Sequence, residues 1–225
     1  DGLVLSNTPH SCIRCSSMMS ASRMCEIHRP RGCAGSTCHT GWHSTSLISA
    51  GGDYREIRRL PGVYAKTVLL QEAPATEALL DSLPCEKRRV RYARMMPGYL
   101  LDWHYDSKEA VEFGLVRMHI PLIMNPDVRM QVSHVDCAFE PGELWYADFS
   151  FPHRTYNGGT TPKVSLVLEL VVNDYVRGLI GSGFNEPQRA ALRTQAGITC
   201  DKSHARSLDH SGTAMGSRRA PAPTL

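Results

Sequence analysis

VRMHIPLIMNPDVRMQVSH, residues 116–134, is two apolar runs joined by Asn125–Pro126–Asp127. The runs carry β-branched and methionine side chains, and the join carries turn-forming ones. Their spacing predicts strands over 115–124 and 128–135. In the first strand Arg117 and His119 are two apart, whereas Val116, Met118 and Ile120 fall on the opposite face. Successive strand residues alternate faces, so one face is apolar and the other carries two polar groups. Such groups need partners if they are buried.

The same texture extends both ways from Arg88 to Asp174. Further strands are expected at 90–96, 99–106, 143–149, 153–157 and 163–172, punctuated by Pro97–Gly98, Pro141–Gly142 and Asn157–Gly158–Gly159. Short strands at this spacing without intervening helices point to a mainly β antiparallel sandwich or barrel of the jelly-roll type. A few helices flank it. APATEALLDSLP at 73–84 reads as one, with Pro74 in its first turn and Leu79, Leu80 and Leu83 on one face. A second is expected near 187–195.

Three regions follow from composition. Residues 1–40, rich in Ser, Cys, Gly, Arg and His without periodic apolar pattern, read as an irregular extension. The main folded unit is expected over 41–184. Residues 185–225 read as a short helix followed by a mobile Ser/Arg/Pro/Ala tail. Five of the eight cysteines, Cys12, Cys15, Cys25, Cys33 and Cys38, lie in the extension. With His28 they could supply zinc ligands, although no standard finger spacing completes the Cys12–Cys15 pair.

Composition narrows the function classes. The chain has 225 residues and a net charge of +3, but the tail from Gln188 carries six basic residues and two acidic ones. The body is therefore near neutral, which argues against nucleic acid as a partner. No apolar run reaches the roughly 18 residues of a membrane span. The first residues lack a basic region followed by an apolar run, so no leader is expected, and scattered thiols suit a cytoplasmic protein.

The chemistry concentrates in DWHYD at 102–106. His104 and Asp106 are two apart, so an imidazole and a carboxylate share a face. His153, in FPHRTYN, follows 47 residues later. Two histidines and one carboxylate on one side of an iron leave the other positions open for cosubstrate and O₂. His-x-Asp alone also arises by chance, as a pair hydrogen-bonded near a strand end. In KVSLVLELV, Lys163 and Ser165 share a face, where a cation and a hydroxyl could hold the far carboxylate of a dicarboxylic acid.

The order PG-x₅-H-x-D, RMHIPL, PGE-x-W, HR-x-x-NG, K-x-S and VND resembles the aspartyl/asparaginyl β-hydroxylase family over about residues 88–174. A weaker echo starts at Gly41–Trp42. That resemblance implies a double-stranded β-helix of the cupin-like 2-oxoglutarate oxygenases, with Fe(II), 2-oxoglutarate and O₂ as cofactor and cosubstrates. By position it implies His104, Asp106 and His153 as metal ligands, and Arg117, His119, Lys163 and Ser165 around 2-oxoglutarate. Lys163 replaces the family's usual arginine, a point charge in place of a planar fork. Asp106 is present where halogenases have a small residue, which favours hydroxylation.

The expected activity is hydroxylation of an amino acid, an amino-acid-derived small molecule or an Asp/Asn-type peptide side chain. Tyr92, Arg94, Trp103, Tyr105 and Arg154 flank the ligands in sequence and are candidate substrate contacts. Trp145 reads as core. The competing readings are a non-oxygenase metal-binding cupin, such as an isomerase or ligand-binding module, and a zinc adaptor built on the Cys-rich head. Oligomeric state leaves no mark in the sequence.

Overall fold

A computed structural model of the protein describes residues 12–15, 41–106, 108–133, 135–181 and 186–195. In chain order the strands are β1 (Cys12–Cys15), β2 (Trp42–Ala50), β3 (Tyr64–Lys66), β4 (Lys87–Met95), β5 (Leu100–His104) and β6 (Leu115–Ile123). They continue as β7 (Val128–Val132), β8 (Val135–Asp136), β9 (Leu144–Ala147), β10 (His153–Asn157) and β11 (Lys163–Val171). Three helices are α1 (Pro74–Asp81), α2 (Asp174–Ile180) and α3 (Glu186–Gln195).

The strands form two antiparallel sheets. The larger has the order β1-β9-β6-β11-β4-β2-β3 and the smaller β5-β10-β7-β8. From β4 onward the chain passes back and forth between the sheets, which is the winding of a double-stranded β-helix. The molecule is a mainly β jelly roll with flanking helices, as the strand and turn pattern predicted. Pro97–Gly98 makes the first crossing, and Gly98 takes a φ of 75°, left-handed backbone that glycine adopts without a Cβ clash.

β11 is the central strand of the larger sheet, paired with β4 on one side and β6 on the other. Its even-numbered residues Leu166, Leu168 and Leu170 join Val90, Val116, Met118 and Ile120 in one buried cluster. Leu79 and Leu80 of α1 and Val176 and Ile180 of α2 complete that cluster. The main apolar core therefore lies between the larger sheet and its helices, outside the roll. Each leucine so buried contributes roughly 1.5–3 kcal/mol. Tyr92 reaches the same outer face, where its hydroxyl is 2.6 Å from Thr76 Oγ1 of α1. The interior of the roll is left for polar groups. A small cluster, including Met130, Val132 and Phe149, is all the apolar packing on the smaller-sheet side among the described residues.

Local signals explain the flanking helices. Pro74 starts α1 where its missing N–H costs nothing. Asn173 caps α2 by accepting a hydrogen bond from Val176 N at 3.0 Å, and its amide donates to Pro84 O at 2.8 Å, tying the two helices' ends. Expected strands and helices fall within a few residues of their places. Five elements were not foreseen: β1, β2, β3, β8 and α2. β1 corrects the reading of residues 1–40 as wholly irregular, since Cys12–Cys15 pairs along β9 and covers its open edge. The other possible zinc ligands, Cys25, His28, Cys33 and Cys38, and the tail beyond Gln195 lie outside the described residues.

Leu168 has no solvent exposure, whereas Val68 is 63% exposed. Leu168→Ala is expected to cost about 2–5 kcal/mol, and a surface change such as Val68→Ala no more than about 0.5 kcal/mol. Paired thermal melts check the contrast.

Candidate metal and cosubstrate site

The interior of the roll follows from strand parity. On β11 the odd-numbered residues Lys163, Ser165, Val167 and Glu169 oppose the leucines of the outer face. Pairing sets Lys163 beside Met95, Ser165 beside Ala93 and Val167 beside Arg91 on β4. On the other side Val167 meets His119 and Glu169 meets Arg117 on β6. All of these side chains except Glu169 line one cavity together with Trp42 and, from the smaller sheet, His104, Met130 and His153.

His104 ends β5 and His153 opens β10, and the two are directly paired in register. Their ring centroids are 4.1 Å apart. Asp106 lies two residues beyond His104, its backbone N–H donating to Phe149 O at 2.8 Å. The imidazole and carboxylate atoms of His104, Asp106 and His153 that can bind a metal all lie within 4.8 Å of one another. Both rings are oriented by backbone carbonyls: His104 Nδ1 is 2.6 Å from Asp102 O, and His153 Nδ1 is 3.0 Å from Phe151 O. A carbonyl only accepts, so each Nδ1 carries the proton and each Nε2 keeps its lone pair.

Electrostatics favours a neutral His153 and an ionised Asp106. Burial pushes the His153 imidazolium down to about 4, partly offset by Asp106. Burial opposes ionisation of Asp106 too, but Arg117 and the two histidines hold its carboxyl well below the usual range. Neutral imidazoles and an ionised carboxylate are the forms that ligate divalent metals.

Further along the cavity the polar groups lack protein partners. Ser165 Oγ and both ring nitrogens of His119 are buried without a hydrogen bond among the described residues. His119 sits 5.0 Å from the Phe149 ring, and burial, reinforced by Lys163 and Arg117, holds its pKa well below the ordinary value. Lys163 is buried with no carboxylate paired to it among the described residues, and burial alone brings its amine down to about 8. Buried polar groups are ordinarily satisfied. A cation, a hydroxyl and an imidazole left open in one cavity therefore describe a place for an oxygen-rich anion, beside a ligand set of two imidazoles and a carboxylate. The donors fit both Fe(II) and a dicarboxylate.

Arg117 is engaged by carboxylates of the protein. It lines the cavity, but Nη1 donates to Asp106, and Nη2 donates to Glu109 at 2.7 Å and to Glu169 at 3.1 Å. Arg89 and Arg59 complete this buried network: Arg89 Nε is 2.8 Å from Glu169 Oε2, and Arg59 pairs with Glu109 and Glu169. Burial pushes the Glu109 carboxyl up to about 7, with Arg117 opposing and Asp106 and Glu169 adding to the rise.

The expected substrate contacts do not converge on the cavity. Tyr92 and Arg94 share the outer face of β4, because they alternate with Arg91, Ala93 and Met95. Arg154 alternates with the cavity-lining His153 and Thr155; its guanidinium stacks over Trp103 at 4.8 Å and its Nε donates to Gln131 at 2.6 Å. Tyr105 does not line the cavity either. Trp145 packs at the small apolar cluster, as expected of a core residue. Sequence reading passed over Arg91, whose guanidinium lies 5.6 Å from the Trp42 ring centroid. Among the described residues no ion pair engages it. Burial, with Arg89 and Arg117 nearby, draws it down to about 9. Parity alone would have separated Arg91 from Arg94, since Val90 and Tyr92 mark the apolar face. It would also have found Glu169, in step with Lys163 and Ser165. Glu109 and Arg59 sit in loops and leave no such signal.

The family model for aspartyl/asparaginyl beta-hydroxylase matches residues 17–172. Similar solved structures include an oxidoreductase of the 2OG-Fe(II) oxygenase family from Burkholderia pseudomallei, at 13% identity over 67% of this chain and 77% of that one, with a TM-score of 0.48. Another is the viral collagen prolyl hydroxylase of Paramecium Bursaria Chlorella virus-1 in its 2OG complex, at 11% identity over 72% and 97% of the two chains, with a TM-score of 0.43. No curated protein matches. The family match spans His104, Asp106, His153, Lys163 and Ser165, and the chain belongs to the aspartyl/asparaginyl β-hydroxylase family.

Proposed function

We propose that the protein is an Fe(II)- and 2-oxoglutarate-dependent dioxygenase that hydroxylates an amino acid or an amino-acid-derived small molecule, including an Asp/Asn-type side chain. The observation that carries this reading is the His104–Asp106–His153 cluster beside a buried, unpaired lysine and serine in one cavity. Among the described residues no helix is long and apolar enough to cross a membrane.

In this reading His104 and His153 hold iron through Nε2 and Asp106 through its carboxylate. Lys163 and Ser165 hold the distal carboxylate of 2-oxoglutarate, with His119 beside them. Bound iron, 2-oxoglutarate and O₂ supply the oxidising chemistry. The protein's part is placement and shielding. Backbone carbonyls hold the imidazoles in one tautomer, Phe149 packs 4.7 Å from the His153 ring, and Met130 closes the wall from the smaller sheet. A lysine in place of an arginine gives a one-point grip, stronger for being desolvated but open to titration.

Charge supports an anionic substrate. Arg59, Arg89, Arg91, Arg117 and Lys163 face Asp106, Glu109 and Glu169, five cations against three carboxylates. A divalent ion and a dianionic cosubstrate cancel each other, so a positive excess persists. Arg91, stacked on Trp42, is the cation left for a substrate carboxylate.

Anaerobic addition of Fe(II) and 2-oxoglutarate should produce the weak visible band of the chelate, and His153→Ala should abolish it; a band that survives this change would refute the ligand assignment. At constant metal loading, 2-oxoglutarate affinity should be flat at low pH and fall as pH rises through about 8, because neutral Lys163 no longer attracts a carboxylate. Lys163→Arg should move that decline to far higher pH, since guanidinium stays charged. In a screen of free L-amino acids for stimulated succinate release, Arg91→Gln should raise the KM of an active substrate by roughly tenfold or more, the worth of one charge-assisted hydrogen bond. An unchanged KM would remove Arg91 from the substrate site.

A further inference from the structure

Asp106 stands beyond the end of β5, where no ladder holds it, yet a metal-binding carboxylate must keep one orientation. Two contacts hold it: its own N–H to Phe149 O at 2.8 Å, and the guanidinium of Arg117 on its side chain. Arg117 is itself immobilised. Nη2 donates to Glu109 at 2.7 Å and to Glu169 at 3.1 Å, and Arg89 clamps Glu169 from the far side. Both terminal nitrogens of Arg117 are thus engaged by carboxylates, and only Nε has no partner. A guanidinium in that state has little left to offer a cosubstrate.

We propose that Arg117 is a positioning residue for Asp106, aimed by Glu109 and Glu169, rather than a ligand of 2-oxoglutarate. The inference rests on the reading of His104, Asp106 and His153 as a metal site. A planar fork can serve three carboxylates at once, which an ammonium cannot do with the same geometry. Outer-shell partners of this kind typically change metal affinity about 10–100-fold when altered. A neutral replacement would confuse two effects of opposite sign, because removing a cation also relieves its repulsion of the metal. Arg117→Lys keeps the charge and removes only the geometry.

The full-length protein and its Arg117→Lys variant are titrated with Co(II) alone, followed by the visible Co(II) bands, and then with 2-oxoglutarate at saturating Co(II). The variant should bind Co(II) at least about tenfold more weakly, with altered band intensities, while 2-oxoglutarate affinity stays within about threefold. Unchanged Co(II) affinity and spectrum overturn the proposal, whether or not 2-oxoglutarate binding weakens. Should circular dichroism show that Arg117→Lys does not fold, Glu109→Gln replaces it. That change leaves Asp106 and Arg117 in place but removes one anchor, and it should perturb the Co(II) bands in the same direction; an unaltered spectrum counts against the proposal. Absence of Co(II) binding by the unaltered protein would instead refute the metal site on which the inference stands.

Discussion

β11 is hydrogen-bonded along its length on both sides, and the pleat of this one strand divides the molecule. Leucines at 166, 168 and 170 go outward, into the core under α1 and α2. Lys163, Ser165 and Glu169 go inward. A slip of one residue in its pairing would exchange those sets, burying charges under the helices and emptying the cavity of its polar groups. Everything else in the site presupposes this register. Ala93 stands beside Ser165 and Arg91 beside Val167 because β4 is locked to it, and Arg117 meets Glu169 because β6 is.

The interior that results is an unusual one for a small domain. Hydrophobic stabilisation comes chiefly from outside the roll, which frees the inside to hold charge. Desolvated charges are costly unless paired. Arg59, Arg89 and Arg117 with Glu109, Glu169 and Asp106 answer this cost among themselves. Lys163 and Arg91 do not, and burial bends their proton affinities downward. The division between paired and unpaired cations separates the part of the interior that holds the site's shape from the part open to ligands.

The ligand cluster was legible early because His-x-Asp is a local pattern and strand parity is a local rule. His153 needed more, since only the pairing of β10 with β5 sets it opposite His104. The suggested substrate contacts do not line the cavity, for a specific reason. Tyr92, Arg94, Trp103 and Arg154 are near the ligands in sequence, and nearness along a strand says nothing about its face. Trp103 and Arg154 stack on each other away from the cavity.

Sequence alone determined the class of fold, the strands from β4 to β11 other than β8, helices α1 and α3, and a short set of candidates for holding a metal and a dicarboxylate. Those follow from periodicity and residue chemistry, which are properties of short segments. Only the tertiary structure decided that Arg117 turns to Asp106, Glu109 and Glu169, that Arg91 faces the cavity, and that Cys12–Cys15 closes the edge of the larger sheet. Each depends on which distant segment arrives beside it. A guanidinium goes to the nearest unsatisfied carboxylates, and their identity is set by the packing of loops and strands that the local pattern does not encode.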